Sequence, residues 1–210
     1  MLKDRIIQDL TKRIEEQQTL QKKDNVKVEL FNEELNYSII HQLIPEDVQE
    51  KISFVEKNAD LRLSNAYIER CDKETEEMIS KEESDFLKQP LEFLKKHKNE
   101  FIYFESEWLD LIGVDAISLE ADDVFGTYDV MLGLKLQKKY ETVLREQLNR
   151  FLSGEEPKFD LVFNHDDGLW DLNFTLNYVA GFKNELSVGE TFLMIYRFLF
   201  NLVDQVESNH

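Results

Sequence analysis

The chain has 210 residues, 42% of them hydrophobic, with 15 Phe, so it can build one sizeable core, and only 3 Pro and 7 Gly leave little room for linkers or low complexity. Its formal net charge of −18, with a pI near 4.6, repels nucleic acid phosphates and anionic membranes, which argues against a direct nucleic acid or membrane partner. The lone cysteine, Cys71, cannot close an internal disulfide, and the N-terminus has no unbroken apolar run, so a reducing cytoplasmic setting is expected.

In chain order, Leu2, Ile6, Leu10 and Ile14 recur every four residues, with Ile7 widening the stripe, and predict a helix over 2–23. Residues 1–24 are read as an amphipathic helix and 25–210 as a single α+β domain. The stripe either lies across the main core or docks the helix onto a partner or a second copy. Over 26–40, Val26, Val28 and Leu30 and then Leu35, Tyr37 and Ile39 alternate with polar residues around Asn32-Glu33-Glu34, the pattern of a hairpin. Pro45-Glu46-Asp47 opens a short helix with Val48, Ile52 and Val55 inward.

Ser64 is a candidate N-cap for a helix to Lys88 whose inner face carries Tyr67, Cys71, Met78, Phe86 and Leu87. Pro90 ends it and starts another helix closing on Lys95-Lys96-His97-Lys98. Phe101–Phe104 reads as a buried strand, a turn-rich stretch runs to Val114, and Ile117–Leu119 adds a strand. Asp122 or Asp123 caps the next helix, whose stripe is Leu136, Tyr140, Val143, Leu144, Leu148 and Phe151 and which Gly154 ends.

The last fifty residues carry the clearest pattern. Phe159–Phe163 is strand-like, Asn164–Gly168 supplies turn chemistry with Gly168 able to take positive φ, and Trp170, Leu172, Phe174, Leu176 and Tyr178 alternate with polar residues. Ser187-Val-Gly-Glu190 is a capping-box match, and the helix after it is apolar nearly all round, which places it at the centre of the fold. The expected architecture is α+β: an antiparallel, hairpin-built sheet packed against several helices, with Glu190–Val206 central.

Functional signals lie in the charges. From 99 to 134 there are nine acids and no Lys or Arg, and from 159 to 182 four acids and no base. Asp115, Glu120, Asp122, Asp123, Asp129, Asp166, Asp167 and Asp171 are therefore the candidate residues of an electronegative face that attracts a basic protein partner. Scattered solvated carboxylates with no common face are the plainer reading of the same residues. A divalent metal held by carboxylates of 115–129 and 160–171, with His165 nearby, is the enzymatic alternative, although Asp166-Asp167-Gly168 is as well explained as a turn. No EF-hand, HExxH, CxxC, Walker A, GxGxxG or GxSxG sequence is present, and no cofactor is expected. Cys71 would need His41 or His97 to serve as a nucleophile, and on an apolar helix face it reads instead as an inert thiol. His41 and His165 are the only histidines placed for acid–base work, and neither has an evident partner. A third reading is a structural subunit assembled through its first helix.

The run Asp122–Glu141 and the turn Asp166–Phe174 resemble a group of short, acidic bacterial cytosolic proteins, some of which carry a branched-chain aminotransferase label. That label would imply pyridoxal phosphate on a pocket lysine. The chain is shorter than such enzymes and has no lysine in that setting, so the resemblance assigns no site residue.

Overall fold

The computed structural model describes residues 1–21, 26–44 and 52–209. Its contacts divide the chain into two compact units, Met1–Arg62 and Leu63–His210. The first helix shares its core with the segments that follow it in the first unit.

In the first unit, helix α1 (Leu2–Gln21) precedes strand β1 (Val26–Leu30), helix α2 (Asn32–Ile40) and strand β2 (Ile52–Glu56). Leu2, Ile6 and Leu10 are buried as the four-residue spacing requires, whereas Ile7 is exposed rather than part of the stripe. Leu10 joins Val26, Val28, Leu30, Ile44 and Ile52 in one cluster, with Ile14, Leu35 and Phe54 packed against it. The apolar face that would serve a second copy is thus occupied within the chain. No hairpin forms over 26–40: β1 pairs parallel with β2, Val26 opposite Ile52, and α2 lies between them in sequence. The alternation of Leu35, Tyr37 and Ile39 is overridden by helical spacing. Glu34, Tyr37 and Ser38 are the buried residues, and Glu33 and Glu34 occupy the first turn, where the helix dipole favours acids. The helix expected at Pro45 lies outside the described residues, and its Ile52 and Val55 belong to β2.

Buried charge closes this unit. Arg62 grips Glu34 through two hydrogen bonds of 2.7 and 2.9 Å and Glu33 through one of 2.7 Å, with its guanidinium 4.2 Å from the Phe31 ring centroid.

The second unit is a seven-stranded antiparallel sheet in the order β4-β3-β5-β6-β7-β9-β8. Its strands are β3 (Tyr67–Asp72), β4 (Met78–Glu82), β5 (Glu100–Glu105), β6 (Val114–Ala121), β7 (Tyr128–Leu134), β8 (Phe159–Asn164) and β9 (Leu169–Thr175). Four helices belong to it: α3 (Phe93–Lys96), α4 (Glu107–Ile112), α5 (Glu141–Phe151) and α6 (Val188–Ser208). The architecture is α+β, as the sequence indicated.

One long helix expected from the sequence is a hairpin instead, and a second keeps only its C-terminal half. Over 64–88 the Glu- and Lys-rich composition favours a helix, but β3 pairs along its length with β5 and turns back into β4. The reversal is fixed locally, with the Asp72 carboxylate accepting the N–H groups of Glu74 (2.9 Å) and Thr75 (3.0 Å) and Glu76 at φ +58°. Over 122–137 the alternation of Tyr128, Val130, Leu132 and Leu134, all buried, makes β7, and the helix starts only at Glu141. Gly154 does not cap that helix, which ends at Phe151 with Leu152 extended. The ring of Tyr178 sits where a Cβ on Gly154 would be, 2.4 Å away. The stretch expected to be turn-rich holds α4, capped by Ser106, and the helix after Pro90 is reduced to α3.

The C-terminal pattern is realised in full detail except at one end. β8 and β9 form the hairpin, Gly168 takes φ +69°, and Trp170, Leu172 and Phe174 point into the core, with the strand giving way to a 3-10 turn at Leu176–Tyr178. Ser187 and Glu190 complete the capping box of α6. The helix buries thirteen residues, stacking Phe192 on Phe104 at 4.0 Å and Phe198 against Phe174 at 4.9 Å. At about 1.5–3 kcal/mol for each large side chain taken from water, this is the main fastening between helix and sheet. Among the described residues no helix is long and apolar enough to cross a membrane.

Candidate partner-binding surface

Strand alternation gives this sheet two unlike faces. One carries Ile68, Phe104, Leu119, Val130, Leu172 and Phe174, all buried, and takes α6 through the ring contacts above. On the opposite face the register lines up Tyr67, Glu69 and Cys71 of β3; Phe101, Tyr103 and Glu105 of β5; Ser118 and Glu120 of β6; Asp129, Met131 and Gly133 of β7; Asp171, Asn173 and Thr175 of β9; and Asp160 and Val162 of β8. Among the described residues of the second unit no helix packs on this face. Within its strands it carries seven carboxylates, Glu69, Glu105, Asp115, Glu120, Asp129, Asp160 and Asp171, and one base, Lys81 opposite Glu69.

Local chemistry fixes several of these acids. Asp115 sits in an irregularity of β6, where its Oδ1 accepts the N–H of Ala116 (2.6 Å) and, across the strand pair, the N–H of Gly133 (3.0 Å). A Cβ at residue 133 would lie 2.7 Å from the Asp115 carboxylate, so glycine leaves the room that this acid occupies over β7. Glu120 and Asp129 are directly opposite one another across β6 and β7, an unfavourable juxtaposition of like charges. Burial raises the carboxyl pKa of Glu120 against the pull of Lys73, whose Nζ is 3.5 Å away, and Asp129 and Asp123 raise it further. Burial likewise raises Asp129, with Asp122 adding to it, while the Thr175 hydroxyl donates to its Oδ1 at 3.3 Å. The Tyr67 and Tyr103 hydroxyls donate to Glu69 and Glu105 respectively, and burial together with the Glu105 contact pushes the Tyr103 phenol well above its ordinary value.

The eight acids singled out in the sequence fall in three places. Asp115, Glu120, Asp129 and Asp171 share the open face. Asp122 and Asp123 occupy the β6–β7 turn at one end of it, where the Asp122 carboxylate accepts the N–H groups of Val124 (2.8 Å) and Phe125 (2.5 Å). Asp166 and Asp167 lie in the β8–β9 turn at the other end, about 20 Å away at 3.4 Å per residue, and Asn164 ties them into that turn by accepting the Asp166 N–H (3.0 Å) and donating to Asp167 (2.9 Å). The acids of the two base-free segments thus meet in part on one surface. Glu69 was hidden in a stretch that reads as helix. Glu105 and Asp160 lay within the acidic segments, and only the strand register reveals which way they point.

Other candidate chemistry is thin. Cys71 lies on a strand rather than a helix, and its thiol is buried beside Glu69, both of which raise its pKa and hold it protonated. His97 stacks on Phe93 with Nδ1 3.2 Å from Glu100, His165 has Nε2 3.2 Å from Lys138, and His41 packs on Tyr37. Among the described residues no three His, Cys, Asp or Glu side chains converge to hold a metal ion, so the carboxylates of 115–129 and 160–171 form no donor set. Comparison with protein-family models, with curated proteins and with solved structures finds no match.

Proposed function

We propose that the chain is a non-enzymatic binding protein, of the inhibitor, immunity or adaptor kind, that takes a basic protein partner on the open face of its sheet. The observation that carries this reading is a sheet face that no described helix of the second unit covers, with seven carboxylates and one lysine within its strands and Lys73 reaching Glu120 from beside it, interleaved with Tyr67, Phe101, Tyr103, Met131 and Val162. Such a field speeds the approach of a cationic protein, and the aromatic and aliphatic side chains between the acids give it something to desolvate. Bringing positive charge to Glu120 and Asp129 also relieves a repulsion that the fold itself maintains.

The test is capture of a partner by tagged protein at low salt and its release at high salt. The variant Asp115→Asn, Glu120→Gln, Asp129→Asn, Asp171→Asn should lose most of the captured partner. The control Asp85→Asn, Glu92→Gln, two exposed acids outside the strands of this face, should keep it. Binding retained by the first variant, or lost equally by both, would sink the proposal.

A further inference from the structure

The turn between β6 and β7 does something the fold does not need. Val124 and Phe125 stand side by side at its tip, each 81% exposed, while the backbone beneath them is pinned. The Asp122 carboxylate holds both of their N–H groups, the Gly126 N–H reaches the Asp122 carbonyl at 3.1 Å, and the Asp122 N–H reaches the Thr127 carbonyl at 2.9 Å. Two large apolar side chains on a preorganised turn contribute nothing to the core and lose little entropy on being covered.

Their surroundings select what covers them. Phe125 borders a cleft with Asp122, Asp129, Glu155, Glu156 and Asp160, where the one base, Lys158, lies 3.5 Å from Glu156 and donates to the Asn149 carbonyl. A second copy would bring the same acidic rim against itself, and anionic lipid or nucleic acid would be repelled for the same reason. We infer that Val124 and Phe125 are a hydrophobic anchor for a basic, amphipathic protein surface, an apolar patch flanked by Lys or Arg. The inference rests on the binding function proposed above and adds to it where the partner is held and which part of its binding is not electrostatic.

The experiment uses the full chain and two labelled peptides of equal length and lysine content, one an amphipathic Leu/Lys helix and one with every Leu replaced by Ser. The wild type should prefer the Leu/Lys peptide by at least about 10-fold, and Phe125→Ser or Val124→Ser should remove most of that preference with the melting temperature unchanged. Equal affinity of Phe125→Ser and wild type for the Leu/Lys peptide overturns the anchor. In that case the charge-based reading still stands if the four-acid variant described above weakens binding of the Ser/Lys peptide. If that variant binds the Ser/Lys peptide as wild type does, the charge-based reading fails instead. Phe125-dependent binding to zwitterionic vesicles would assign the tip to lipid and overturn the protein partner.

Discussion

Glu120 and Asp129 face each other across β6 and β7, and their raised pKa values make a statement about stability. An acid whose folded pKa lies above its unfolded one keeps a proton in the native state that the unfolded chain has already released. Such a pair therefore costs stability as pH rises from the unfolded carboxylate range near 4 through the raised folded values, and mild acidification restores it. Asp129→Asn should raise stability at pH 7 on the order of 0.5 kcal/mol, with the gain shrinking as pH falls toward the unfolded carboxylate range. Urea melts of both proteins across that range check it, and a gain that does not change with pH would refute the cause. Arg62 is the opposite case. It is 2% exposed and holds Glu34, itself 2% exposed, so Arg62→Met takes the guanidinium away from a buried carboxylate. A loss of about 3–5 kcal/mol is expected in chemical denaturation of the full chain, whereas breaking the exposed Lys88–Asp85 pair should leave it nearly unchanged.

At the scale of elements, α6 shows how local and tertiary signals reinforce each other. Ser187 accepts the Glu190 N–H at 3.2 Å and Glu190 accepts the Ser187 N–H at 2.8 Å, a contact that lowers the Glu190 pKa. Ser187→Ala should cost about 1 kcal/mol at neutral pH. The Glu190 half of the box adds stability above the unfolded carboxylate pKa and loses it as pH falls through the depressed folded value, so Glu190→Gln should flatten the acid limb of the stability profile. This helix and the β8–β9 hairpin were legible in the sequence because period, cap and turn residues all agree there. Tyr67–Glu82 was not, since its Glu and Lys residues satisfy helical composition while its pairing with β5 is a contact thirty residues away. The same holds for Tyr128–Leu134, where a turn at Asp122 imitates a helix cap: an Asp side chain accepting two N–H groups ahead of it serves either structure. For Leu35–Ile39, three alternating apolar residues are too few to outweigh helical burial of Glu34 and Ser38. The candidate surface was legible as composition, in two base-free acidic runs, but not as geometry. Which carboxylates share a face depends on the bulge at Asp115 and on the strand order, and neither leaves a mark on one segment alone.

The whole molecule divides its labour between the two units. All seven strands of the antiparallel sheet pair within residues 63–209, and α6 covers the sheet from the same stretch of chain. The open acidic face and the Val124–Phe125 tip belong to this unit as well. A unit of about 150 residues buries enough of its surface to fold alone, whereas a parallel strand pair with two helices in about 60 residues is marginal. The fragment 63–210 should therefore keep one cooperative thermal transition and a dispersed amide spectrum, and residues 1–62 alone should melt with little cooperativity. Because the fragment holds every carboxylate of the open face, it should also retain salt-sensitive capture of the partner, with an affinity within about threefold of the full chain. A fragment that is cooperative yet fails to bind would move the recognition surface to include the first unit. A fragment without a cooperative transition would show that the second unit does not fold alone.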